Sequence, residues 1–110
     1  MDPVFFGSPA EAREWFEENH ESADEIWVGL YKKGASKSGI SMQEALDQAL
    51  CFGWIDTKGM RIDEERWKVR FVPRRPKSNW SERNIARVEE LIAEGLMHES
   101  GRRAFDRRGD

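Results

Sequence analysis

A single cysteine, Cys51, stands in this chain of 110 residues. No disulfide can form within it, and a cysteine-based zinc site would find no ligands. A reducing compartment fits that composition. Tyrosine occurs once and histidine twice, and no apolar run approaches the roughly 20 residues needed to cross a bilayer. The opening "MDPVFFGSPAEA" carries an acid where a secretory signal requires bases. These absences set the expectation of a cytoplasmic protein with no membrane partner.

Aromatic rings and charge are what the chain has in quantity. Hydrophobic residues make up 38% and charged residues 35%, with six Phe and five Trp. A few large rings must therefore supply much of the core's apolar area. The length fits one domain over residues 1–110 with a single core. Net charge is -3, yet residues 1–56 hold 4 basic and 11 acidic side chains while residues 57–110 hold 14 basic and 10 acidic. The stretch 58–87 alone has 10 basic against 4 acidic. A positive field on one segment of a slightly acidic protein fits a local anion site. A pI near 5.5 does not fit a broad nucleic-acid footprint.

The patterning alternates helices and strands. "GSPAEAREWFEEN" opens a helix with Ser8 as cap, Pro9 at the first position and Glu11 completing an S-x-x-E box. Ala12, Trp15, Phe16 and Asn19 share its apolar face. "DEIWVGLYKK" has the β-branched and aromatic content of a strand partly covered on both faces. "GASKSG" is a connector expected to be mobile; it lacks the spacing of a phosphate-binding loop. A second capping box, Ser41 with Glu44, opens a helix that Gly53 should stop. Residues 54–73 form two alternating runs around "DEE", which predicts an antiparallel hairpin with one apolar and one basic face. Ser81 or Ser78 then caps a helix with the stripe Ile85, Val88, Leu91 and Ile92, stopped by Gly95. The closing "HESGRRAFDRR" reads as a frayed helix. The expected fold is α+β: a small antiparallel sheet of about three strands, one strand plus a hairpin, packed with three main helices.

Chemistry has few places to reside. Trp54 and Asp56, in "LCFGWIDTKGM", could form an aromatic-walled acid site. A lone carboxylate needs a partner, however, and the structural alternative is a core tryptophan beside an aspartate held by a hairpin cation or backbone amides. Cys51, on the last turn of a helix, fits a small buried hydrophobe better than a nucleophile. His20 and His98 show neither metal nor triad spacing and are expected on the surface. No catalytic residue, metal or cofactor is assigned. "PRRPKSNWS" differs in kind, because Arg74, Arg75 and Lys77 precede hydroxyls and a helix start at Ser78 and Ser81. Trp80 offers a stacking face, and Arg70 extends the positive surface from the hairpin. These seven residues form the candidate ligand site. In the alternative, the arginines pair with the acidic half and Trp80 is core.

The blocks "ALCFGWID" at Ala49–Asp56, "FVPRRPKSNWSERN" at Phe71–Asn84 and the ending "AEGLMHESG" resemble the bacteriocin-protection, or OmpD-associated, family of small bacterial proteins. The resemblance spans nearly the whole chain in order. It implies a stress or resistance role without an established reaction, and members with a further C-terminal helical portion beyond the point where this chain stops. The expected function is a binding module for an anionic, phosphate- or nucleotide-like small molecule. The alternative is an adaptor that binds a protein partner, with an enzyme ranked last.

Overall fold

The computed structural model describes residues 2–108. Its elements run α1 (Pro9–Asn19), β1 (Ile26–Tyr31), α2 (Met42–Cys51), β2 (Trp54–Arg61), β3 (Arg66–Pro73), α3 (Glu82–Ala93) and α4 (Glu99–Asp106). The fold is α+β, with one antiparallel sheet in the order β1-β3-β2. Sheet residues Val28, Leu30, Trp54, Val69 and Phe71 meet helix residues Phe16, Ala45, Leu50, Val88, Leu91 and Phe105 in one core.

The helix starts follow from their caps. Ser41 and Glu44 satisfy each other's backbone N–H groups at 3.1 and 2.9 Å, and Ser81 accepts from the Asn84 N–H at 3.1 Å. Each such cap is worth about 1 kcal/mol. At α1 the Ser8 hydroxyl accepts from the Glu11 N–H, but the Glu11 carboxylate accepts from Gly7 instead of Ser8. The expected box is thus stretched by one residue.

The junction after α2 is architectural. Gly53 adopts φ +82°, which stops the helix without a Cβ penalty. Trp54 follows at 1% exposure, edge-on to Trp15 at 5.7 Å and Phe16 at 5.3 Å. The open carbonyls at the end of α2 are then closed by α4. The His98 N–H donates to the Cys51 carbonyl at 3.0 Å, and the Ser100 hydroxyl donates to the Phe52 carbonyl at 3.1 Å. A Cβ on Gly101 would lie 2.1 Å from the Cys51 oxygen, so only glycine permits this approach.

Two expectations are corrected here. The last segment is a packed fourth helix, not a frayed end, because Gly101 docks on α2 and Phe105 is buried. The histidines are not two separate surface residues. The His20 side chain is 8% exposed, and its ring lies 4.9 Å from that of His98, which stacks on Phe52 at 4.7 Å.

The sheet's far side matters for the site. A β-bulge between Asp56 and Lys58 breaks the alternation of β2. Ahead of it, Ile55 pairs with Val72 on the face turned away from Phe71. Phe5 covers Gly29 on that side, where a Cβ would fall 2.4 Å from the ring. Part of the basic half pairs with the acidic half. Arg70 bonds Glu25, and Arg87 grips Asp47 through two bonds of 2.8 Å, tying α3 to α2.

Candidate functional site

The chain leaves β3 at Pro73, and the Arg74 N–H stays anchored to the Gly53 carbonyl at 2.9 Å. A tight turn follows, with the Ser78 N–H donating to the Arg75 carbonyl at 3.1 Å. Pro76 takes its second position and Lys77 its third, at φ +67°. That pattern fits a type II turn, whose third position ordinarily holds glycine or asparagine. A lysine there costs on the order of 1 kcal/mol in backbone strain, and such strain gathers at functional sites.

Arg74 is the centre of the arrangement. Its guanidinium lies 3.6 Å from the centre of the Trp80 ring and donates through Nη1 to the Ser78 hydroxyl at 3.1 Å and the Asn79 carbonyl at 3.0 Å. Nε and Nη2 are buried without a hydrogen-bond partner. Burial pushes the Arg74 pKa down to about 10, with Asp56 partly opposing the shift. The group is charged at neutral pH, and two of its donors are unmet.

Two recesses flank the turn. One is an open groove of about 620 Å³ on the outer sheet face. Its floor is Ile55, Val72 and Pro73, its cations are Arg70, Arg74, Arg75 and Lys77, and Thr57, Ser78 and Asp24 add polar groups. The other, about 10 Å³, has room for little more than one water-sized species. It lies between the turn and the end of α4, among Arg74, Arg75, Lys77, Trp80, Arg107 and Arg108.

Of the seven residues named from the sequence, Arg70, Arg74, Arg75, Lys77 and Ser78 border the groove. Arg70 does so while bonded to Glu25. Trp80 belongs to the smaller recess, where Arg74 covers its ring face and Phe105 meets it edge-on at 5.5 Å. Its expected role as an open stacking platform gives way to packing. Ser81 lines neither recess, and its hydroxyl is spent on the α3 cap. The start of α3 is therefore not part of the groove. Sequence reading missed Arg107 and Arg108. Arg108 lies 3.7 Å over Phe105 and donates to its carbonyl at 2.8 Å, and cations at a helix C-terminus suit its dipole. The i, i+4 pair Gly101 and Phe105 was the available signal that α4 packs and brings them here.

The reagent candidates fare differently. Cys51 is fully buried, and desolvation raises its pKa. Such a thiol is no nucleophile. Asp56 acts on the Arg74 guanidinium just beyond the hairpin, where its charge partly offsets the effect of burial on that group. Among the described residues no group of three or more acidic, histidine or cysteine side chains could hold a metal ion. No helix among them is long and apolar enough to cross a membrane.

An α+β domain with a cation-lined groove at the end of a three-stranded sheet is thus the class that fold and site define. The chain belongs to the family described as Domain of unknown function (DUF8412), whose model matches residues 4–104. No curated protein and no solved structure matches it.

Proposed function

We propose that this chain is a binding module for an anionic, phosphate- or nucleotide-like small molecule, received in the groove beside Arg74–Ser78. The observation that carries the reading is Arg74, a desolvated cation with two buried donors left over between two cation-lined recesses. Unmet charged donors are costly in a protein interior, and an oxyanion nearby would offset that cost. Exposed Arg75 and Lys77 supply further charge, and the strained turn presents them together. The resemblance to bacteriocin-protection proteins supports a stress or resistance role for the bound state.

The test is a thermal-unfolding titration with phosphate, sulfate and a nucleoside monophosphate against chloride of equal ionic strength. A ligand that binds only the folded state raises the midpoint by mass action, about 2.7 kcal/mol at a hundredfold excess over Kd. Chloride only screens. The double variant Arg75→Ala with Lys77→Gly should lose the saturable part and keep the fold, since both side chains are exposed. Arg74 is unsuitable for this purpose, because its removal would also strip Trp80 and Ser78 of a partner. A wild-type midpoint indifferent to every anion up to millimolar levels moves the preference to the adaptor reading.

A further inference from the structure

Inorganic phosphate is best met by polar walls on every side, and the groove beside Arg75 has an apolar floor. Ile55 and Val72 are a cross-strand pair on the outward face, and Pro73 continues that surface to the strand end. At about 620 Å³ the groove is of the size that holds whole organic ligands, not a single tetrahedral ion. Its polar groups are also divided by type. Exposed cations cluster at the turn, where Arg75 and Lys77 stand, while Arg70 on β3 borders the groove bonded to Glu25. Acceptors flank the sheet: Asp24 on the β1 side and, on the β2 side, Thr57, whose hydroxyl already donates to the Arg70 carbonyl at 3.3 Å. Inorganic phosphate at neutral pH would gain little from a carboxylate and a committed hydroxyl. A molecule with an anionic end, an apolar body and donor groups on that body would use all three.

We infer that the ligand is an organic phosphate monoester carrying a ring, its phosphate against Arg75 and Lys77 and its ring laid over Ile55 and Val72. The inference rests on the anion-site reading and narrows it. Two exposed cations match the double charge of a monoester, and Asp24 disfavours a second anionic group at the far side of the floor. Hydroxyl or amine groups on the ring would meet Asp24 and Thr57.

Calorimetric titration of the full chain with inorganic phosphate, phenyl phosphate and phenol at one ionic strength tests this. Covering one face of a ring is worth about tenfold in affinity, so phenyl phosphate should bind at least about tenfold tighter than phosphate, and phenol should bind far more weakly. Methyl resonances of Ile55 and Val72 should shift with phenyl phosphate and stay still with phosphate. Val72→Thr, which keeps the β-branched shape, should weaken phenyl phosphate severalfold and leave phosphate unchanged. Should that variant fail to fold, the three-ligand comparison on the wild type decides alone. Equal affinities for phenyl phosphate and phosphate overturn the inference while leaving the anion site standing. Binding of phenyl phosphate with methyl shifts elsewhere overturns the placement on this floor. No binding by either phosphate overturns both the inference and the reading beneath it.

Discussion

Acid should loosen this domain through one imidazole. His98 is the N-cap of α4, its Nδ1 accepting the Ser100 N–H at 3.1 Å. That bond needs a lone pair on Nδ1, hence a neutral ring. Burial lowers the His98 pKa first, the His20 ring and Arg13 add to the effect, and Glu99 and Glu17 oppose it. With the folded pKa below the unfolded value near 6.5, the unfolded chain binds more protons as the pH drops. The stability contributed by neutral His98 is therefore complete above about pH 6.5 and is lost as the pH falls through the folded pKa. Protonation removes the cap acceptor, worth about 1 kcal/mol, and sets a positive charge at the positive end of the helix, worth a further ~0.3–1 kcal/mol. A protonated Nδ1 could donate to the Ser100 hydroxyl, 2.9 Å away, which trims the loss without restoring the cap. The expected total is about 1–2 kcal/mol. Urea unfolding from pH 8 to pH 5 on the wild type and on His98→Asn isolates it, because asparagine caps well and does not titrate. His20 and every carboxylate remain in both proteins, so the wild type should lose about 1 kcal/mol more than the variant. Parallel pH profiles for the two proteins would refute the reasoning.

Three further outcomes follow from particular contacts. Trp54→Ala should cost about 3–5 kcal/mol in chemical denaturation, since a fully buried indole contacting Trp15 and Phe16 leaves a cavity the core cannot close. Gly101→Ala should cost upward of about 3 kcal/mol despite alanine's better helix propensity, because the new methyl meets the Cys51 carbonyl; unchanged stability would mean that α4 does not dock on α2 as described. Lys77→Gly should raise the unfolding free energy by roughly 0.5–1 kcal/mol by relieving positive-φ strain, while weakening anion binding in the same protein.

Sequence carried the local rules and stopped where distant segments meet. The Ser41–Glu44 box, the stop at Gly53 and the hairpin around Asp63 are written within a few residues, and all three stand in the structure. In the hairpin turn, the Asp63 carboxylate accepts from the N–H groups of Glu65 and Arg66, both at 2.9 Å, so the turn is fixed by its own side chain. Gly101 misleads when read alone, since a glycine in a short polar segment indicates fraying until the Cys51 carbonyl is placed beneath it. The histidines are misplaced for the same reason. Nothing near His20 or His98 in sequence announces that Phe52 will stack between the segments that carry them. At the candidate site the cationic turn was legible from composition, whereas its second wall, Arg107 and Arg108, became visible only with α4 in place.

The turn after β3 is where the chain departs from what stability alone would select. Glycine at position 77 would remove the strain, and a smaller side chain at position 74 would avoid burying two donors without partners. Arg74 has a structural use, because its plane covers Trp80 and its Nη1 ties down Ser78 and Asn79. That use accounts for one of its three nitrogens. The remaining two have no hydrogen-bond partner among the described residues, and the lysine beside them is held at positive φ, where strain gathers at functional sites. Both departures fall on residues that border the same groove, which accords with the binding role proposed for it.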